Sequence, residues 1–192
     1  VVTGTLAGGR VAVGDELVVL PGEKVARVRG LQVHSAQVAA AVSGERTAIN
    51  LAGVLVGDLS RGDVLVREGT LKSTRSAHMS LKLLDGFSLK HGARVHVHAG
   101  SAEVLGRVRF SETELPKGGQ AVVEVRFESP VVLARGDRIV VRRYSPVDTI
   151  GGARILDAMP RLRRRGEMAA LQGIDGETDR QAVERFVREA GS

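Results

Sequence analysis

Short β patterns broken by glycine limit this chain more than any other feature. Val1-Val2-Thr3-Gly4-Thr5-Leu6 has the β-branched content of a strand, Gly8-Gly9 turns it, and Arg10–Leu20 resumes the pattern. Glycine and Asp or Asn supply turn backbones that β-branched residues cannot adopt, so extended runs joined this way close into compact β-structure. Further runs follow at Lys24–His34, Glu45–Leu51 and Asp63–Arg67. A polar connector, Glu68–Thr74, separates them from Ala77–Leu84, Ala93–Ala99, Ala102–Phe110, Gly119–Glu128, Arg138–Arg143 and Ala153–Asp157. The spacing predicts an all-β fold of two consecutive small antiparallel β-barrels, residues 1–68 and 75–158. Residues 159–192 read as a basic linker and a short helical segment.

A length of 192 residues has room for one large or two small domains. Aromatic residues are only 3% of the chain while 43% is hydrophobic, so the cores must be built from Val, Leu, Ile and Ala. The chain has no cysteine, which excludes disulfides and thiolate metal sites and makes the reducing cytoplasm the expected compartment. No signal peptide is visible, and no apolar run approaches the roughly 18 residues of a membrane span, so no membrane partner is expected. The first residue is Val in strand pattern rather than Met, which suggests a piece of something longer. The net charge of +6 favours phosphate-bearing partners, but many basic proteins never touch nucleic acid.

Finer patterning gives three local expectations. In Lys24–His34 the apolar phase changes between Ala26/Val28 and Leu31/Val33; a bulge at Gly30 would restore one inward face and leave Arg27, Arg29, Gln32 and His34 outside. In the strand around Ala121–Phe127, Ala121, Val123, Val125 and Phe127 form an apolar face, with Val122, Glu124 and Arg126 on a mostly polar one. Gly-Asp opens a strand three times, at Gly14-Asp15, Gly62-Asp63 and Gly136-Asp137, where Asp can hydrogen-bond the turn backbone. Two copies follow Arg, but a cysteine-free chain without a signal gives an adhesion reading no support. Leu115–Gly119 and Glu128-Ser129-Pro130 read as turns. After Pro160 the sequence becomes basic at Arg161–Arg165, and Ala182, Val183, Phe186 and Val187 form a helical stripe capped from Asp175 to Thr178.

Catalytic chemistry finds no foothold. No Ser-His-Asp or Cys-His arrangement, nucleophile elbow or Walker phosphate loop is present, and Gly151-Gly152 falls between strand runs. His96 and His98 alternate on one strand beside Arg94, with no acidic partner close in sequence; an exposed polar strand face explains them better than a metal site. No catalytic residue, metal ligand or cofactor is therefore assigned to this segment, and it is not expected to be an enzyme. Arg27, Arg29, Arg142 and Arg143 are candidates for phosphate contact, each equally readable as a solvated strand face; so is Arg161–Arg165.

The succession Val1–Leu6, Arg10–Pro21, Val25–His34, Gly44–Val54 and Arg61–Leu65 resembles the second domain of EF-Tu-type translational GTPases. Glu103–Phe110, Glu128–Pro146 and Thr149–Arg165 are similar to the third domain of the selenocysteine-specific elongation factor (SelB) family within that group. The resemblance implies barrels that bind selenocysteyl-tRNA for delivery to the ribosome at UGA codons. It implies GTP and magnesium on a separate GTPase domain, and an mRNA hairpin bound by later winged-helix domains. In Ser43–Gly53, Arg46 takes the position that helps form the family's aminoacyl pocket, where a fixed cation favours an anionic selenolate over neutral serine. The chain departs from the pattern in lacking the GTPase domain and the earliest residues of domain two, an acidic-aromatic part of that pocket. Two alternatives stay open: barrels of another translational GTPase, such as an initiation factor or EF-Tu relative, and a non-catalytic structural or protein-binding double barrel.

Overall fold

The computed structural model describes residues 1–160, 176 and 178–190. The chain divides into two compact units, Val1–Lys72 and Ser73–Ser192. The first holds β1 (Val2–Thr5), β2 (Arg10–Ala12), β3 (Glu16–Leu20), β4 (Lys24–Val33), β5 (Ala36–Val38), β6 (Ala40–Val42), β7 (Arg46–Ala52) and β8 (Val64–Val66), with a single 3-10 turn at Val56–Asp58. Antiparallel pairing runs β1-β7-β4-β3-β8, β5 adds to β4, and β2 pairs with β6 as a separate ribbon. Val11 from the ribbon's β2 and Ala41 from its β6 are buried with Leu17, Val28, Leu31, Val33 and Ile49 of the larger sheet in one cluster. Burying a Val, Leu or Ile side chain contributes about 1.5–3 kcal/mol, so this small cluster is what curls both sheets around one interior.

The pairing of β4 with β7 slips between Val28 and Gly30, so Arg29 is the extra residue of a bulge. Ala26, Val28, Leu31 and Val33 all end buried, while Arg27, Arg29, Gln32 and His34 are exposed. The phase change in the sequence is the imprint of that bulge.

The second unit holds β9 (Ser73–Leu83), β10 (Leu89–Lys90), β11 (Arg94–Ala99), β12 (Ala102–Arg109), β13 (Glu114–Leu115), β14 (Gln120–Val132), β15 (Arg138–Arg143), β16 (Thr149–Asp157) and α1 (Asp179–Ala190). Six of these strands close into a barrel in the order β11-β12-β14-β9-β16-β15. Alternate residues of every strand fill it, among them Met79, Leu81, Val95, Val97, Val108, Val123, Val125, Ile139, Val141 and Ile155. Closure of this all-β architecture removes exposed strand edges that would otherwise template aggregation.

Glycine permits two of the closest approaches. A Cβ on Gly151 would lie 2.4 Å from the Lys82 carbonyl oxygen, and one on Gly106 would lie 2.8 Å from a Val125 methyl. Gly151 and Gly152 therefore belong inside β16, paired with β9 and β15, and not between strands as their sequence suggests.

The structure departs from the sequence pattern elsewhere too. Arg10–Leu20 is two strands, because the Gly14-Asp15 turn breaks it. Ser73 and Thr74 already belong to β9. Ser129-Pro130 is an irregularity within β14 where pairing to β9 shifts, not a turn that ends it. The short strands β5, β6, β10 and β13 have too few residues to show a period. Of the C-terminal stripe, Ala182 is buried but Val183 and Val187 are exposed, and the side chain of Phe186, with Arg161–Arg165, lies outside the described residues. Thr178 caps α1 reciprocally with Gln181: its hydroxyl accepts the Gln181 N–H, and its own N–H donates to the Gln181 side chain.

Candidate functional site

One turn type builds the edges of both units. At Gly14-Asp15, Gly62-Asp63 and Gly136-Asp137 the glycine has φ of 94°, 101° and 90°. Each Asp carboxylate accepts the N–H of the residue three before it, from Ala12, Ser60 and Ala134, at 2.9, 2.7 and 2.8 Å. Gly44-Glu45 is a fourth copy that the sequence hides, because Glu replaces Asp: Gly44 has φ 92° and the Glu45 carboxylate accepts the Val42 N–H at 2.8 Å. The Glu45 carbonyl accepts from Leu6 N–H at 3.0 Å. Arg46 is the next residue and the first of β7, so this turn sets where its side chain leaves the sheet.

Arg46 lies across from Thr5 of β1 and is exposed, since its neighbour Thr47 takes the buried parity. On the same outer surface β4 carries Arg27, opposite Glu16 and Ala52, and the bulge residue Arg29. Arg27, Arg29 and Arg46 form no ion pair with a described residue. A guanidinium cannot be neutralised by losing a proton near neutral pH. Three open cations on one unit are therefore available to an anion.

In the second unit the candidate arginines are already engaged. Arg143 donates to Asp148 at 2.7 Å and lies 5.3 Å from the centre of the Phe87 ring. Arg142 donates to the Val147 carbonyl at 3.1 Å, bracing the β15–β16 turn. A cleft of about 350 Å³ beside them has Phe87 and Ile150 among its apolar lining and Lys90, Lys117 and Arg143 among its polar lining.

Two clusters change the reading of polar residues. His96 bonds Glu103 at 2.7 Å and stacks on Tyr144 at 5.7 Å, while Arg94 lies 4.3 Å over the Tyr144 ring. The acidic partner missing next to the histidines in sequence arrives from β12, where Glu103 faces His98. No described group of three or more His, Asp or Glu residues has metal-binding geometry. Arg94 also grips Glu128 through two hydrogen bonds of 2.7 and 2.6 Å. The Arg94 hydrogen bond holds the Glu128 carboxyl below its ordinary range, and Glu128 raises the Arg94 guanidinium in turn.

The second cluster overturns an expectation: Glu124 is not on a solvated face but fully buried. Its carboxylate accepts from Arg109 at 2.8 Å and Arg126 at 2.6 Å, with a His78 ring nitrogen 4.0 Å away. Asp157 next along the row bonds Arg185 of α1 at 3.1 Å. Val122 on this outer face is buried as well, so period-two alternation misplaces the strand's second side here.

Residues 1–66 match the family model described as elongation factor Tu domain 2. Residues 76–162 match the selenocysteine-specific elongation factor, beta-barrel domain. Similarity to the selenocysteine-specific elongation factor of Desulfomicrobium baculatum, 37% identical over 196 residues, extends across 100% of this chain and 31% of that protein. The chain belongs to the selenocysteine-specific elongation factor family. The Escherichia coli K12 selenocysteine-specific elongation factor is 32% identical over 175 residues, covering 91% of this chain and 27% of that protein. A crystal structure of bacterial selenocysteine-specific elongation factor EF-Sec superposes with a TM-score of 0.75 and 26% identity, over 92% of this chain and 28% of that one. The chain thus spans about a third of the length of the relatives it matches. No helix among the described residues is long and apolar enough to cross a membrane.

Proposed function

We propose that this segment is the aminoacyl-tRNA-binding part of a GTP-dependent elongation factor that delivers selenocysteyl-tRNA to the ribosome at UGA codons in the cytoplasm. In this reading the first unit receives the aminoacyl end and the second lies along the acceptor and T arms. GTP and magnesium belong to a GTPase domain outside these residues, and an mRNA hairpin to further C-terminal domains. The segment itself binds and positions; it performs no bond chemistry.

The observation that carries the reading is Arg46, fixed at the start of β7 by the Gly44-Glu45 turn, exposed, and without a described acidic partner. A selenol is more acidic than a thiol and is ionised near neutral pH, so the side chain of the correct amino acid is an anion. A permanent cation lowers the energy of that anion and gains little from a neutral hydroxyl, which is discrimination by charge. Arg27 and Arg29 then hold the RNA backbone without reading sequence. Arg142 and Arg143 extend that contact on the second unit, Arg143 by exchanging Asp148 for phosphate.

The test is Arg46→Ala in the full-length factor. Selenocysteyl-tRNA affinity should fall about tenfold, the size of a lost hydrogen bond to a charged group, while seryl-tRNA affinity holds. Equal losses for both charged tRNAs would remove the selective role.

A further inference from the structure

The β4–β5 connection is a two-residue hairpin, since Val33 pairs with Ala36. Its central residues are His34 and Ser35, with φ of 49° and 67°. Such turns place both central residues in the left-handed region and therefore favour Asn-Gly or Asp-Gly. A histidine and a serine there are backbone outliers, and outliers of this kind persist where a side chain is wanted at that point.

The ladder shows what lies beside the turn. Val33 pairs with Thr47 at the end of the β4–β7 register and β4 ends there; His34 follows Val33 into the turn and Arg46 precedes Thr47, so both residues come just past the same end of this ladder. Val33 and Thr47 are buried, while His34 after the one and Arg46 before the other are exposed. Arg46 thus pairs with Thr5 of β1 on one side, and on its other side the His34 turn begins one residue beyond the last β4–β7 pair.

We propose that His34 is a second specificity-determining residue of the Arg46 site, its ring N–H donating to the anionic side chain of an amino acid esterified to the RNA 3′ end. This rests on the reading of Arg46 as part of the aminoacyl pocket. Arg46 supplies charge from the start of β7; His34 supplies a directed donor from the turn that follows β4. A large anion held between two donors from two segments is fixed in position. A serine hydroxyl, smaller and neutral, gains from neither to the same degree. A role for the ring would offset the cost of holding His34 in a left-handed turn that suits Asn-Gly better.

The experiment measures Kd for selenocysteyl- and seryl-tRNA on full-length factors carrying His34→Asn, Ser35→Gly or Arg46→Ala, with thermal midpoints of each. Asn tolerates the left-handed backbone, so His34→Asn should keep or raise the midpoint while weakening selenocysteyl-tRNA about fivefold to tenfold and sparing seryl-tRNA. Ser35→Gly relaxes the turn without touching the ring and should leave the affinity ratio unchanged. The proposal is overturned if His34→Asn leaves the ratio intact while Arg46→Ala collapses it, in which case the pocket reading survives. It is equally overturned if His34→Asn weakens both tRNAs alike, or if Ser35→Gly shifts the ratio as much. An unchanged ratio in Arg46→Ala removes the underlying reading and this inference together.

Discussion

Two sets of arginines, one in each unit, stand in opposite states. On β4 and β7 of the first unit, Arg27, Arg29 and Arg46 are exposed and form no ion pair with a described residue. On the second, Arg109, Arg126 and Arg185 are held by Glu124 and Asp157, both buried. The residue type is the same; the partner decides the role. An open guanidinium on a rigid strand is a standing site for an external anion. One locked to a buried carboxylate keeps that carboxylate from becoming an uncompensated interior charge. Binding is therefore expected from the first set and stability from the second.

Glu124→Ala tests this most severely. Removing one partner of a buried charge cluster typically costs about 3–5 kcal/mol, so the denaturant midpoint of the second unit should fall sharply. A loss below about 1 kcal/mol, the worth of an exposed pair, would erase the contrast. Gly151→Ala should follow, at about 2–3 kcal/mol from overpacking, because its Cβ would collide with the Lys82 carbonyl. Gly4→Ala in the first unit meets nothing within 4 Å and serves as the control. A smaller effect, and on binding alone, comes from Arg27→Gln with Arg29→Gln. The slope of log affinity for tRNA against log salt should flatten by about one per arginine, with stability within about 0.5 kcal/mol of the parent. An unaltered slope would mean that these exposed cations never meet phosphate. Smallest is the Arg94–Glu128 pair on the surface. Because the Glu128 carboxyl is depressed, any contribution is complete above its ordinary value and fades as pH falls through the depressed one. A carboxylate titration by NMR should show Glu128 moving back up toward the ordinary range in Arg94→Gln.

Much of the first face was legible in advance. The phase change at Gly30 foretold a bulge, and the four buried apolar residues beside exposed Arg27, Arg29, Gln32 and His34 follow from it. Less of the second was. Val122-Glu124-Arg126 has the alternation of a solvated strand side, and nothing within a few residues reveals that it is covered. Arg109 is 15 residues from Glu124, and Arg185 is 28 from Asp157. Gly44-Glu45 is masked in the sequence because Glu stands in place of Asp, although a carboxylate one methylene longer reaches the corresponding N–H.

By itself the sequence determined the all-β class, the low-aromatic cores, the Gly-Asp turns and the family resemblance. All of these are set by neighbours along the chain: a turn needs a glycine next to a carboxylate that reaches the N–H three residues back, and a strand needs its period. Tertiary structure alone decided which charges are buried, that one barrel closes through β15 and β11, and that the His34 turn and Arg46 come past the same end of the β4–β7 ladder. Those outcomes depend on strand register, where distant segments compete for the same backbone hydrogen bonds and a slip of one residue turns every side chain to the other face.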